Sequence, residues 1–140
     1  MSDRERAAHQ FINALPHSVA LGMSLQRLED GIADIAMPYN PQLVGDPKTG
    51  VIAGGAVSAL MDTSCGAAVM CHPSHPGGTA TIDLRIEYFR AATPGQTITA
   101  HAECYHITRS VAFVRATASD ENTENPVASA TGTFTVEGQR

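Results

Sequence analysis

The chain has 140 residues, of which 43% are hydrophobic, and a formal net charge of −5. This length predicts a single domain over residues 1–140, in which a helical segment, 1–19, precedes a core, 20–136. The net negative charge and the lack of a Lys/Arg cluster argue against nucleic-acid and anionic-membrane partners. An odd number of cysteines, 3, and no visible apolar signal segment predict a reducing, cytoplasmic location.

The N-terminal residues predict a short amphipathic helix. It spans residues 3–15, with Ser2 or Asp3 as its cap, and Pro16 ends it because proline lacks a backbone N–H. Its apolar face consists of residues at helical spacing: Ala8, Phe11, Ile12 and Leu15.

A β-hairpin is predicted next. Two extended segments, 23–29 and 32–37, flank Asp30-Gly31, a dipeptide that supplies the positive φ angles of a tight turn. Residues 40–50 are rich in Pro, Gly and polar side chains and predict an irregular loop. This loop leads into a long central helix, which runs from Gly54-Gly55 to about Met70.

Four consecutive strands are predicted after the helix. In residues 81–88 apolar and polar side chains alternate strictly, so one face should be core and the other wet. The apolar set is Ile82, Leu84, Ile86 and Tyr88, and the polar set is Thr81, Asp83, Arg85 and Glu87. Further strands are predicted over 97–108, 110–119 and 127–136. This order excludes a doubly wound fold and predicts the α+β class, with a sheet wrapped around the helix.

Asp62 is the first candidate catalytic residue. Between Lys48 and Asp83 it is the only formally charged residue, and it lies in the middle of the predicted central helix. The rest of that helix is small, apolar or hydroxylic, so we expect it to be buried on most sides. A buried, unpaired carboxylate costs several kcal/mol and needs a partner, water or a ligand. A structural bond, for example to the Ser58 hydroxyl, is the alternative to catalysis.

Gly54 and Gly55 form the second candidate element. A helix N-terminus presents unpaired N–H groups and about half a positive charge, which suits a carbonyl oxygen that becomes an oxyanion. Gly54 and Asp62 are about 12 Å apart along a helix, so one carbonyl cannot reach both in one chain. If both act on one bond, they come from two copies in a homodimer, with antiparallel helices across a two-fold axis.

Three segments together form a recognisable pattern: residues 50–63 (GVIAGGAVSALMDT), residues 81–90 (TIDLRIEYFR) and Pro94-Gly95. They resemble the hotdog-fold acyl-CoA thioesterases of the phenylacetic-acid-degradation type, and the resemblance covers about residues 20–136. It implies a hotdog fold, with an antiparallel sheet around the central helix. It also implies hydrolysis of an acyl-CoA thioester, with no cofactor beyond the coenzyme A of the substrate.

The same resemblance implies residue roles. In that family the first glycine of a His-Gly-Gly motif polarises the thioester carbonyl, and an acidic residue eight positions later acts from the other subunit. These positions are Gly54 and Asp62 here, with Asp62 as general base or nucleophile. Thr81 matches a residue that helps place the attacking water, and Asn40 matches a polar loop residue near the thioester. The sequence departs from the motif at Ala53, where the family usually has histidine.

Three residues complete the candidate set as substrate-binding residues: Ser58, Arg90 and Arg109. The two arginines lie near strand ends, where they could meet coenzyme A phosphates. Ser58 lacks the Gly-x-Ser-x-Gly elbow of a serine hydrolase. No metal site is expected, because the possible ligands Cys71, His72 and His75 are interleaved with prolines and no second ligand cluster has matching spacing.

Several alternatives stay open at this point. A non-catalytic acyl-CoA-binding protein is favoured by Ala53 in place of histidine. A hotdog enoyl-CoA hydratase is a weaker alternative, because Asn40-Pro41 stands without the Asp and His of the motif that such enzymes carry. The sequence does not decide between a homodimer and a homotetramer built as a dimer of dimers, and it does not name the acyl group.

Overall fold

The computed structural model describes residues 3–74 and 76–137, so Ser2 and His75 lie outside the described residues. The elements occur in this order: α1 (Asp3–Ala14), α2 (Pro16–Ala20), β1 (Ser24–Glu29), β2 (Ile32–Met37), a 3-10 helix (Pro41–Leu43), β3 (Val44–Asp46), β4 (Val51–Ile52), α3 (Gly54–Met70), β5 (Thr81–Tyr88), β6 (Ile98–Ile107), β7 (Val111–Ser119) and β8 (Ala128–Thr135). Six strands form one antiparallel sheet in the order β1-β2-β6-β7-β8-β5, and β3 pairs with β4. The predicted α+β class is confirmed. None of the helices in the described ranges is long and apolar enough to cross a bilayer.

The N-terminal segment holds two helices instead of one. α1 ends at Ala14, one residue before its predicted end, and Pro16 then begins the short helix α2. Proline suits the first position of a helix, where its missing N–H has no partner to lose. On the predicted apolar face of α1, Ile12 is buried, whereas Phe11 stays 41% exposed.

The segment 40–50 is more regular than predicted. Asn40 caps the 3-10 helix by accepting a hydrogen bond from the Gln42 amide at 2.9 Å. β3 then pairs with β4 as a short two-stranded ladder, with a register shift between Val44 and Asp46. The expectation of an irregular loop was wrong, because strands this short leave little alternation to read in a sequence. In contrast, the Asp30-Gly31 turn is as predicted, with Gly31 at a φ of 70°.

α3 packs mainly against β2, β6 and β7, in the middle of the sheet. The side chains that it buries against them include Val57, Leu60, Met61, Ser64, Cys65 and Ala68. One stripe of the helix is left exposed or half-buried, and it comprises Gly55, Ser58, Ala59 and Asp62. Since β5 lies at the far edge of the sheet, this stripe faces an open cleft.

The face of β5 predicted to be core is only partly covered. Leu84 and Ile86 are half-buried, but Ile82 is 55% exposed and Tyr88 is 48% exposed. The expectation fails at both ends of the strand, because β5 is an edge strand and α3 packs mainly against β2, β6 and β7. Apolar side chains of β5 therefore stay exposed to solvent along this edge of the sheet.

A buried ion pair joins the segment after β5 to the end of β7. Arg90 binds both carboxylate oxygens of Asp120, each at 2.7 Å, and the Asp120 side chain is fully buried. The amides of Thr93 and Asn122 donate to the same carboxylate, each at 3.0 Å. The hydrogen bonds from Arg90 hold the pKa of Asp120 well below its usual range.

We expect Asp120→Asn to destabilise the fold at neutral pH by about 3 kcal/mol, because it leaves the Arg90 guanidinium without its counter-ion. The folded-state pKa of Asp120 is lowered, so its contribution is present above the unfolded pKa of about 3.9 and is lost as the pH falls below that value. Urea unfolding at one protein concentration measures the difference, and the gap to the wild type should shrink under acid conditions.

Glu29→Gln is the matched control. It makes the same carboxylate-to-amide change in an exposed pair with Arg27, and it should alter the unfolding free energy by less than about 1 kcal/mol. A gap between Asp120→Asn and the wild type that stays constant as the pH falls would contradict the assigned role of the Asp120 charge.

The three cysteines are predicted to be chemically inert in the native protein. Cys65, Cys71 and Cys104 are all buried, and burial raises the pKa of Cys65 to about 12 and that of Cys104 to about 11. Because the thiolate is the reactive form, a disulfide reagent such as dithiobis(nitrobenzoate) should label the native chain far more slowly than the chain in guanidinium chloride. A thiol that reacts equally fast in both states would contradict this placement.

Candidate active site

α3 begins with two amides that have no acceptor. Ala53 is the N-cap, and its carbonyl accepts from the amides of Ala56 at 3.0 Å and Val57 at 3.4 Å. The amides of Gly54 and Gly55 donate to nothing within residues 3–74 and 76–137, and both glycines are exposed. The helix thus presents two unpaired N–H donors, with the positive end of its dipole behind them.

Asp62 lies in the middle of α3 and is half-buried. Its Oδ1 accepts a hydrogen bond of 2.6 Å from the Thr81 hydroxyl at the start of β5. The partner of this carboxylate is therefore Thr81, and the alternative bond to Ser58 does not form. Asp62 and Thr81 are 19 positions apart in the sequence, so only the packing of α3 on β5 brings them together.

A β-bulge turns Thr81 toward the helix. The pairing of β5 with β8 shifts register between Thr81 and Asp83, so residue 82 is the extra residue of the ladder. Strict alternation predicts Thr81 in the solvent-exposed set, and Thr81 is exposed, but its hydroxyl reaches Asp62 on α3. A bulge reverses the facing of side chains on one side of it. Gly132 permits the local close approach, since a Cβ there would lie 2.3 Å from the Asp83 carbonyl.

An open cleft of about 520 Å³ lies between α3 and β5. Its lining comprises Gly55, Ser58, Ala59, Asp62, Thr81, Leu84 and Ile86. The four helix residues are spaced at i, i+3, i+4 and i+7 and therefore form one stripe. The structure thus brings Gly55, Ser58, Asp62 and Thr81 to one cleft, as candidate residues predicted from sequence.

Gly54 lies on a second cleft at the same helix end. This cleft, of about 300 Å³, is lined by Val51, Ile52, Gly54, Val57, Tyr88, Phe89, Arg90, Ala91, Ala92 and Val127. Because α3 is one continuous helix from Gly54 to Met70, Gly54 and Asp62 stay about 12 Å apart along it within one chain.

Tyr88 is a site residue that sequence reasoning missed. Its hydroxyl donates to the Gly54 carbonyl at 2.7 Å and also hydrogen-bonds the Ser58 hydroxyl. In the sequence it was counted only as an apolar member of the β5 pattern. In the alternating pattern of β5, Tyr88 falls on the same face as Leu84 and Ile86. This pattern alone could have predicted that its side chain faces the helix.

Arg90 lies beside the second cleft, but its donors are occupied. A guanidinium has five N–H donors. Those of Arg90 bind Asp120 twice, the Asn125 carbonyl twice and the Ala91 carbonyl once. Contact with a phosphate would require breaking the buried ion pair, so we leave Arg90 out of the site.

Two other candidates lie away from both clefts. Arg109 is exposed in the turn between β6 and β7. Asn40 is half-buried and uses its side-chain oxygen as the cap of the 3-10 helix. Neither residue is among those that line the two clefts.

Ala53, which replaces the histidine of the resembling family, is tightly packed. Its amide donates to the Leu43 carbonyl at 2.8 Å, and a Cβ on Gly45 would lie 2.9 Å from its Cα. The short ladder of β3 and β4 therefore presses directly on the helix N-cap.

The sulfur and imidazole groups after α3 serve local hydrogen bonds. The Cys71 thiol donates to the Glu29 carbonyl at 3.0 Å, and Nδ1 of His72 lies 3.0 Å from the Ser74 hydroxyl. In the described part of the chain no group of three or more His, Cys, Asp or Glu side chains is placed to hold a metal ion.

The chain is similar to several characterised proteins. The family model described as Thioesterase superfamily matches residues 49–127. The medium/long-chain acyl-CoA thioesterase YigI of Escherichia coli (strain K12) is 28% identical over 141 aligned residues, which cover 90% of this chain and 88% of YigI.

Solved structures share the architecture. A Pseudomonas aeruginosa protein superimposes with a TM-score of 0.84 at 33% identity, covering 94% of this chain and 98% of its own. The Escherichia coli PaaI protein from the phenylacetic acid degradation operon gives a TM-score of 0.86 at 20% identity, covering 97% and 94%. The predicted hotdog fold is therefore confirmed.

The family match covers more than half of the chain and includes β4, α3 and β5. Together with the similarity to YigI, it confirms the prediction of a thioester hydrolase. The chain belongs to the thioesterase superfamily.

Proposed function

We propose that this protein hydrolyses acyl-CoA thioesters at a site that combines the α3 N-terminus of one chain with Asp62 of a second copy. One observation carries the proposal: the amides of Gly54 and Gly55 have no acceptor in the described ranges, and the exposed stripe of the same helix carries a carboxylate held by Thr81. The printed name of YigI, a medium/long-chain acyl-CoA thioesterase, supports the substrate class.

The chemistry follows from these groups. The amide donors bind the thioester carbonyl oxygen and stabilise the negative charge that develops on it when water attacks. Asp62 accepts the proton of that water as general base. The bond from carbonyl carbon to sulfur then breaks, which leaves the carboxylic acid, and the departing sulfur takes the proton that Asp62 removed from water and leaves as the coenzyme A thiol. Thr81 donates to Oδ1 of Asp62, which orients the carboxylate and leaves Oδ2 for the water.

The site requires two copies because the helix is rigid. Ser58 lies midway between Gly54 and Asp62, so a two-fold axis near Ser58 places Gly54 of each chain opposite the partner's Asp62. The residues at this crossing, Ser58 and Ala59, are small and half-buried in one chain. Small side chains at a crossing allow two helices to approach closely.

The free edge of β5 supports the same homodimer. Large apolar side chains are exposed along it and just after it: Ile82 at 55%, Tyr88 at 48% and Phe89 at 56%. The other sheet edge, β1, exposes Ser24, Gln26, Arg27 and Glu29 instead. An unpaired, apolar strand edge is a template for pairing with another chain. Assembly into a homotetramer and a cytoplasmic location stay predictions.

The two clefts flank the α3 N-terminus, one lined by Gly54 and the other by Gly55, and we assign the two ends of the substrate to them. The cleft beside Gly54 carries apolar side chains, among them Val51, Ile52, Val57 and Val127, and we assign the acyl group to it. We retain Arg109 as a proposed phosphate contact because its side chain is exposed. Asn40 stays a proposed contact of the partner's thioester.

We expect Asp62→Asn and Gly54→Pro each to lose hydrolysis of a medium-chain acyl-CoA, measured as thiol release. Asparagine keeps an oxygen for Thr81 but cannot take a proton, so kcat should fall by about 10²–10⁴. Proline removes only the Gly54 amide, because it suits the first helical position and Ala53 already has a ψ of 138°. Loss of that donor should lower kcat by about 10²–10³.

Gly54→Ala is the control for the proline variant. It keeps the amide, and its Cβ would lie 3.5 Å from the Tyr88 ring, an ordinary contact. It should therefore keep most of the wild-type activity. Wild-type rates in Asp62→Asn would contradict the mechanism, and equal rates in the proline and alanine variants would contradict the role of the Gly54 amide.

Mixing the two inactive variants tests the shared site. In a dimer of one Asp62→Asn chain and one Gly54→Pro chain, one site holds both defects and the other holds neither. After random exchange of subunits we expect about one quarter of the wild-type activity, because half of the dimers are mixed and each has one intact site. A mixture that stays as inactive as its parents, with subunit exchange verified by mass, would contradict a site built from two chains.

A further inference from the structure

The first turn of α3 is held by a side chain from β5. The Tyr88 hydroxyl donates to the carbonyl oxygen of Gly54 at 2.7 Å. The Ser58 hydroxyl contacts the same carbonyl at 3.1 Å and also contacts the Tyr88 hydroxyl. The mechanism above uses neither hydroxyl. Their three contacts converge on one carbonyl next to the unpaired amides.

Each hydroxyl has only one proton, so the three contacts cannot all be donated at once. The shorter contact to Gly54 comes from Tyr88, at 2.7 Å against 3.1 Å from Ser58. The protons therefore run from Ser58 to the Tyr88 oxygen and from Tyr88 to the Gly54 carbonyl. Accepting a hydrogen bond from Ser58 makes the Tyr88 hydroxyl a stronger donor, because chained hydrogen bonds polarise one another.

The Gly54 carbonyl and the Gly55 N–H belong to one peptide group. Resonance couples them, so a hydrogen bond to the carbonyl oxygen draws electron density from the nitrogen and makes its N–H a better donor. The Gly55 amide is one of the two without an acceptor among the described residues, and Gly55 lines the cleft of Asp62. Two consecutive glycines are also conformationally free, so this turn needs an external restraint.

We propose that Tyr88, supported by Ser58, is a positioning residue that orients and polarises the Gly54-Gly55 peptide toward the thioester carbonyl. Tyr88 acts through the Gly55 amide and not on the reacting atoms. The inference rests on the proposed function, because it needs an oxyanion at the α3 N-terminus. It assigns Ser58 to the support of that peptide instead of to direct substrate binding.

Tyr88→Phe tests this inference, because it keeps the ring and removes the hydroxyl. We expect kcat to fall about tenfold with KM changed less than about twofold, a loss smaller than that of an oxyanion donor itself. Ser58→Ala removes only the outer hydrogen bond, so kcat should fall about twofold to threefold. The double variant should match Tyr88→Phe, since Ser58 acts through Tyr88.

The infrared carbonyl band of a bound acyl-CoA distinguishes a positioning role of Tyr88 from a merely structural one, because only the positioning role changes the frequency of that band. In an Asp62→Asn background an acyl-CoA binds without hydrolysis, and its carbonyl band should shift to lower frequency in the site. Adding Tyr88→Phe should reduce that shift, whereas Tyr105→Phe, on an exposed tyrosine beneath Arg115, should leave both the shift and kcat unchanged.

The outcomes separate the two proposals. If Asp62→Asn hydrolyses at the wild-type rate, the proposed function fails. If Asp62→Asn is inactive but Tyr88→Phe keeps the wild-type kcat and carbonyl shift, the role of Tyr88 alone fails. Additive losses in the double variant would contradict the relay through Tyr88. Should Tyr88→Phe fold poorly, Ser58→Ala still decides, since alanine favours the helix, and an unchanged kcat and carbonyl shift there would overturn the inference.

Discussion

The rise of the α-helix is the constraint on which the site depends. α3 is continuous from Gly54 to Met70, so the amide donors and the Asp62 carboxylate are held about 12 Å apart. One helix therefore cannot bring both its N-terminal amides and its Asp62 carboxylate to the same carbonyl group. The position of α3 over β2, β6 and β7 leaves the functional stripe facing outward, beside a sheet edge that is also unpaired. Both features support the proposed completion of the site by a second copy.

β5 holds the two ends of that stripe. Its first residue, Thr81, donates to Asp62, and its last residue, Tyr88, donates to the Gly54 carbonyl. As an edge strand, β5 is hydrogen-bonded on one side only, and the bulge at residue 82 interrupts its ladder with β8. Pairing of β5 with another chain would stiffen the strand that orients both groups. Dimerisation would thereby complete the site and fix its geometry at once.

Much of the site could be predicted from local sequence, and the rest depended on long-range packing. Gly54, Gly55 and Asp62 stand out because their chemistry and spacing belong to one helix. Thr81 was a candidate through the family resemblance alone, and its contact with Asp62 depends on a bulge that strict alternation cannot reveal. Tyr88 was not predicted as a site residue, because in the alternating pattern of β5 it was treated as an apolar side chain. Its hydroxyl, however, hydrogen-bonds the first turn of α3. Arg90 was predicted to bind the substrate because the local sequence shows no partner for its side chain. Its ion-pair partner, Asp120, lies 30 positions away.

The glycine at position 55 is consistent with the proposed direction of substrate approach. A Cβ at Gly54 would meet the Tyr88 ring at 3.5 Å, but a Cβ at Gly55 would meet nothing within 4 Å. Packing within this chain therefore does not require glycine at position 55, and alanine would make a more stable helix. The absence of a side chain leaves the Gly55 amide open to a group that approaches from outside the chain. A substrate carbonyl pressed between this amide and the partner's Asp62 meets that condition.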